Sequence, residues 1–273
     1  IGSRGNTDEI APRLRNISSN SFEVRVVEPS NRDDEHGMEL LNYMVIESGN
    51  WTLADGTKVS AGTTTLSSYE SNETITFGQT IDPPTILTQL QTFSNQKYAV
   101  TRTRSVSKNG FNTLMETGDG MSTSNPQEET VGWIAIESIN KTLDDNTTIE
   151  AVRTDDIFDD QTKKINFTAN FNSTPRLFTK IATYGGSDAA NTRVDIDNLN
   201  ANRFKLFIRD VNGFFFSNRN LFDKRNGIEL SGTMIIPKHR LNSAKMHING
   251  CIRASLSSNM VNKTFYIIQF NTS

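Results

Sequence analysis

Apolar and polar residues alternate with a period of two in several windows of this chain. In Phe22-Glu23-Val24-Arg25-Val26 the apolar side chains fall on one face and the charges on the other. Tyr98-Ala99-Val100-Thr101-Arg102-Thr103-Arg104 and Arg203-Phe204-Lys205-Leu206 repeat that logic. Such a period with one wet face predicts antiparallel strands packed on one side. Turn-forming runs separate the windows: Ala54-Asp55-Gly56, Lys108-Asn109-Gly110 and Gly185-Gly186. No window carries a helical period, and Thr, Ser, Asn and 16 Phe outweigh the good helix formers. The pattern predicts an all-β chain of antiparallel β-sandwich domains.

Aligning the chain on itself divides it. The run from Arg13 to Phe22 aligns without a gap on the run from Arg102 to Phe111, both beginning Arg-x-Arg and ending Asn-x-Phe. Downstream, Glu39–Ser48 matches Glu129–Ser138, with Tyr43 at the position of Trp133. A third, diverged copy places Ile165–Phe167 and Ile181–Tyr184 on Ile75–Phe77 and Leu90–Phe93, and Phe204 on Phe111. A repeat of roughly 90–100 residues is sandwich-sized. The expected organisation is a C-terminal half-repeat over 1–48, a complete sandwich over 49–139, a diverged second over 140–240, and further strands over 241–273. A half-repeat alone exposes unpaired backbone and half a core. The C-terminal segment, through Ile252–Leu256 and Thr264–Phe270, has the outline of the missing strands. Three arrangements stand open: a piece of a longer array, closure within the chain, and completion of a neighbouring chain, which gives a head-to-tail polymer.

The central copy resembles the H-type lectin domain. The resemblance rests on Ile75-Thr76-Phe77, the run from Asp82-Pro83-Pro84 to Leu87, the run from Ser105 to Gly110-Phe111, and Val131-Gly132-Trp133-Ile134-Ala135-Ile136-Glu137. It covers about 65 residues well and the other copies more loosely. It implies a six-stranded antiparallel sandwich and, in a module of secreted or surface proteins, carbohydrate binding. The sugar-holding residues of the snail-type members are not retained: Tyr98 stands where an arginine is expected, and Gly118-Asp119 where a Trp-His pair is. A relocated sugar site would draw on Tyr98, Arg102, Arg104, Trp51 and Asp119.

Charge narrows the function. The chain has 28 basic and 31 acidic residues in 273, a net charge of −3. That excludes a nucleic-acid protein working by bulk electrostatics. The apolar runs are too short for a membrane-spanning helix, and no signal segment follows Ile1. One cysteine, Cys251, and three histidines leave no disulfide framework or zinc cluster. The acidic runs Asp33-Asp34-Glu35-His36 and Asp155-Asp156 with Asp159-Asp160 follow no calcium-loop spacing. No nucleophile elbow, phosphate loop or metalloprotease motif is present. No enzyme and no cofactor are expected.

The remaining chemistry is assembly and surface. Arginines recur at one repeat position (Arg13, Arg102, Arg193, with Arg15 and Arg104 beside them), as do Glu39 and Glu129. They read as a clamp for acidic glycans or as cross-strand pairs on the wet face, and recurrence in every copy favours the pairs. Trp133 and Tyr43 read as core, whereas Trp51 beside a turn is a candidate exposed aromatic. Phe214, Phe215 and Phe216 cannot all face one core, which marks an interface. Phe265, Tyr266, Ile267 and Phe270 join them as candidate assembly residues. Nine sequons (Asn16, Asn50, Asn72, Asn140, Asn146, Asn166, Asn172, Asn262 and Asn271) exceed the roughly six expected from composition. The expected protein is a non-enzymatic extracellular or cell-surface structural or adhesive glycoprotein. Its partners are copies of itself and, in the alternative, glycans.

Overall fold

In a computed structural model the described residues are 9–18, 21–30, 32, 39–69, 72–117, 127–143, 147–155, 158, 161–184, 189–195, 198–210, 230–231, 243–246, 252–255 and 263–269, the last four groups as backbone. They are strands and turns, with no α-helix among them. The all-β expectation holds.

The strands fall into units with one plan. The second unit is complete: β4 (Gly49–Thr52), β5 (Lys58–Leu66), β6 (Glu73–Thr76), β7 (Pro84–Leu90), β8 (Val100–Ser107), β9 (Gly110–Glu116) and β10 (Glu129–Glu137), preceded in the chain by β1 (Ala11–Arg15), β2 (Ser21–Val27) and β3 (Glu39–Glu47). Its two antiparallel sheets have the orders β4-β5-β10-β7 and β6-β9-β8. The third unit follows with β11 (Ile139–Thr142), β12 (Thr148–Ala151), β13 (Lys163–Asn166), β14 (Lys180–Ile181), β15 (Ala190–Asp195), β16 (Arg203–Asp210) and β17 (Leu230–Ser231). Its orders β13-β16-β15, β14-β17 and β11-β12 repeat the second unit's neighbours.

The first unit takes strands from both ends of the chain. Strands β18 (Ser243–Met246), β19 (Ile252–Ser255) and β20 (Lys263–Gln269) form sheets of order β18-β3-β20 and β1-β2-β19. These are the second unit's β5-β10-β7 and β8-β9-β6. Strand β20 runs antiparallel along β3 from Lys263 opposite Glu47 to Gln269 opposite Leu41. Strand β19 lies on β2, with Ile252 opposite Val24. Backbone groups that the half-repeat alone would leave open are paired by these strands.

Packing between units explains why some strands break the alternation. Trp133 and Ala135 of β10 face their own sandwich, in a cluster with Ile75, Phe77, Ile86 and Phe111. Ile134 and Ile136 face the other way, into a cluster shared with Met44 of the first unit and Ile149, Ala151 and Phe178 of the third. A strand buried on both faces reads as an apolar run rather than an alternation. Tyr43, expected as core, is buried edge-on against Phe22 with centroids 5.2 Å apart. Phe111 and Trp133 repeat that geometry at 6.1 Å. Glycine is required at the β8–β9 turn, because a Cβ on Gly110 would stand 2.1 Å from the Ile75 carbonyl oxygen.

Candidate functional site

Among the described residues, the buried charged side chains Arg13, Glu129, Arg102, Glu116 and Lys180 gather where the units meet. Between the first and second units, Arg13 of β1 is wholly buried. Its Nη2 donates to Glu129 Oε1 at 2.6 Å and to the Thr92 carbonyl at 3.0 Å, and its Nη1 donates to the Lys97 carbonyl at 2.5 Å. The guanidinium lies over the Phe93 ring at 5.1 Å, and Arg25 approaches the same ring at 5.6 Å. Glu129 also accepts from Thr92 Oγ1 at 2.5 Å and from the Asn95 backbone at 2.9 Å. Burial alone would raise its pKa, but Arg13 and these donors outweigh it and hold the carboxyl below the usual range. Gln89 Nε2 adds a bond to the Pro12 carbonyl at 2.8 Å.

The second and third units meet through the equivalent residues. Arg102 sits opposite Leu114 on β9, as Arg13 sits opposite Arg25 on β2. Its Nη2 donates to the Thr183 carbonyl at 3.0 Å, its Nη1 to Glu116 Oε2 at 2.9 Å, and its guanidinium lies 5.5 Å from the Tyr184 centroid. Thr183 and Tyr184 are the repeat counterparts of Thr92 and Phe93. Here the carboxylate comes from the arginine's own unit, and Lys180 is buried beside the pair. Burial pushes Glu116 up to about 7 and Lys180 down to about 7, with Arg102 opposing the first shift and reinforcing the second. The third and first units join through Asn191 Nδ2 to the Ile10 carbonyl at 3.2 Å and Arg176 Nη1 to Asn42 Oδ1 at 3.1 Å. Every pair of units is therefore bonded, and the three close on one another.

A cavity of about 30 Å³ lies at this junction, lined from the first unit by Ala11 and Pro12, from the second by Thr88 and Thr101, and from the third by Lys180 and Thr192. It has room for a water or two and none for a sugar ring. Thr88 and Thr101 share a hydroxyl hydrogen bond at 2.8 Å, and so do Thr179 and Thr192.

The residues expected to bind sugar do not form one surface. Tyr98 is fully buried, its hydroxyl donating to Glu9 Oε1 at 2.8 Å, and burial pushes the phenol well above its ordinary range. Arg102 is 2% exposed and engaged as above. Neither can meet a ligand. Arg104 is half-buried over Tyr184 at 5.6 Å. Trp51 alone is at the surface, and Asp119 lies outside the described residues. The wet-face reading of the arginine rows is also corrected for Arg13 and Arg102, whose solvent is replaced by the neighbouring unit. It holds for Arg15, half-exposed and paired with Glu23 across the strands at 2.9 Å. Arg193 stands opposite Phe207 on β16, the third equivalent position.

Among candidate assembly residues, Phe265, Tyr266 and Ile267 are on β20, opposite Val45, Met44 and Tyr43. Phe214, Phe215, Phe216 and Phe270 lie outside the described residues, as does Cys251. The described sequon asparagines, Asn16, Asn50, Asn72, Asn140, Asn166 and Asn172, are all exposed; Asn146, Asn262 and Asn271 lie outside. Of the acidic runs only Asp155 is described, and it is exposed. The sequence reading missed Glu9, Glu116 and Lys180, which carry no pattern. It also missed the two threonine pairs, which do: each spans 13 residues in its copy.

Over 187 residues, 67% of this chain, the sequence is 37% identical to halomucin of Haloquadratum walsbyi (strain DSM 16790 / HBSQ001). The match spans 2% of halomucin, a protein tens of times longer than this chain. No family model and no solved structure matches the chain.

Proposed function

We propose that this chain is a non-enzymatic structural or adhesive module, extracellular or on the cell surface, that assembles with copies of itself by exchanging its C-terminal strands. The observation that carries this reading is the split first unit, whose sheets combine β1, β2 and β3 with β18, β19 and β20. Strands so placed complete either their own first unit or that of another copy through the same bonds, so exchange makes no new interface and a chain of exchanges leaves open ends. The faces between units are already occupied within one molecule, which leaves strand exchange as the route that needs no further surface. The halomucin match supports the extracellular or surface location. The six-strand core of the units, β6-β9-β8 against β5-β10-β7 in the second, supports kinship with the H-type lectin fold, while burial of Tyr98 and Arg102 argues against the sugar site that kinship would bring.

Val45 and Phe265 stand opposite each other on β3 and β20. Replacing both by cysteine in a Cys251→Ser background allows the two strands to be locked after refolding. Non-reducing electrophoresis is expected to give a locked monomer from dilute refolding and a covalent ladder from concentrated refolding. A monomer alone at both concentrations would falsify the exchange.

A further inference from the structure

Lys180 of β14 is 9% exposed and lines the junction cavity of about 30 Å³. It is the one charged side chain in that lining. Among the described residues, no hydrogen bond or ion pair within 4 Å reaches its ammonium. The carboxylate that acts on it, Glu116, is bonded to Arg102 at 2.9 Å and accepts a further hydrogen bond from Tyr184. In the second unit the same place holds Gln89, whose neutral amide spans the seam to the Pro12 carbonyl at 2.8 Å. The fold thus accepts a neutral group here, whereas a buried ammonium is costly without a counter-charge.

The rest of the lining can donate hydrogen bonds to such a counter-charge. In each threonine pair the two hydroxyls share one bond at 2.8 Å, which commits one of their two protons. The other proton can turn to the carbonyl of Thr88 or Thr179, at 3.2 and 3.4 Å, or into the cavity. Contacts of that length hold a proton weakly. The side-chain oxygen of Asn191 accepts from the Thr192 backbone amide at 3.0 Å, and its Nδ2 is spent on the Ile10 carbonyl. No carboxylate lines the cavity, so a cation would find no opposite charge there. A monovalent anion finds an ammonium and two hydroxyl donors, in a space that suits an ion of chloride's size.

We propose that the three units close around a chloride-sized anion, held by Lys180 and by the hydroxyls of the Thr88–Thr101 and Thr179–Thr192 pairs. The lining comes from β1, β7, β8, β14 and β15 and the residues beside them, so the site stands whichever chain supplies the C-terminal strands. The titratable groups around Lys180 are Arg102 and Glu116, with Tyr98 and Glu9 bonded to each other beyond them. What β1, β7 and β15 present to the cavity does not titrate. Burial brings both Lys180 and Glu116 to about 7, so acid charges the first and neutralises the second. Both changes favour an anion.

Melting curves of the full chain at constant ionic strength, with sodium gluconate replaced stepwise by sodium chloride, test the site at about pH 6 and about pH 9. At the lower pH the melting temperature should rise by about 2–4 °C for each tenfold increase in chloride above half-saturation. The rise should be smaller at the higher pH. Lys180→Gln should melt higher than the parent in gluconate and show only the general salt effect, so chloride narrows the gap between them. Thr192→Val should respond to chloride less than the parent does. Excess broadening of the chloride NMR line by the parent, reduced by Lys180→Gln, identifies the bound ion. An equal chloride response in the parent and Lys180→Gln, or no excess broadening by the parent, overturns the proposal and leaves the cavity to water.

Discussion

Two arginines two positions apart on β1 show what the environment does to one side chain. Arg13 and Glu129 both have fully buried side chains at 2.6 Å, whereas Arg15 and Glu23 are partly exposed at 2.9 Å. Removing one partner of a buried pair leaves the other charge desolvated and unpaired. Arg13→Ala should therefore cost about 3–5 kcal/mol in denaturant unfolding, and Arg15→Ala less than about 1 kcal/mol. Lys180 gives a prediction of opposite sign. Its folded pKa is depressed, so the stability it contributes is present above the ordinary lysine range and lost as pH falls through about 7. Glu116 is raised, so its contribution is present below the usual carboxylate range and lost as pH rises through about 7. Neutral pH is where both are least favourable. The second unit carries Gln89 at the place of Lys180. Lys180→Gln should raise the melting temperature by several degrees, with the gain growing as pH falls from the ordinary lysine range to about 7 and constant below it. Melting curves across that pH range check it, and a gain that does not vary with pH would remove burial of the charge as its cause.

At the scale of elements, strands were legible where one face stays wet. In β2 the side chains of Phe22, Val24 and Val26 are buried while Arg25 is exposed, and β16 behaves likewise around Phe204 and Leu206. Strand β8 was legible as a strand and misread as to its faces. Its residues Val100 to Thr103 are all buried, because the side that alternation assigns to water packs against another unit. A single-chain pattern of polar residues does not distinguish water from the polar seam of a neighbour, since threonine and arginine serve both. The Ser-x-x-Gly-Phe turn was legible as a motif, but its reason lies in β6, whose backbone passes where a side chain on Gly110 would be. Gly110→Ala should accordingly destabilise the fold by about 2 kcal/mol or more, a larger loss than the same change at Gly56, which has a φ of 90° and open space around it. Thermal denaturation of the two variants compares a backbone clash with a dihedral penalty.

For the whole molecule, the repeat alignment carried the three-unit plan, and the weak outline of the tail strands carried their partners. What it left open was which chain those strands complete, because register and pairing are identical in both cases. Equivalent contacts link successive units: arginine to the carbonyls of Thr92 and Thr183, and arginine over Phe93 and Tyr184. Such head-to-tail contacts between like units either close into a ring or propagate. Here they close, with Asn191 and Arg176 returning to the first unit, so growth of an assembly has to come from the break in that unit. A circular permutant isolates this step. Strands β1 and β20 lie in contact, and joining residue 273 to residue 1 leaves residues 270–273 and 1–8 to span between them. Opening the chain between Ser48 and Gly49 then makes all three units continuous in sequence, with every sheet and seam retained. The permutant no longer has strands of one unit at opposite ends of the chain, so exchange loses its hinge. By light scattering it should remain monomeric at concentrations where the parent chain associates, with a melting temperature at least equal to the parent's. Association of permutant and parent to the same extent would place the self-interaction on an outer surface, and strand exchange would have no part in it.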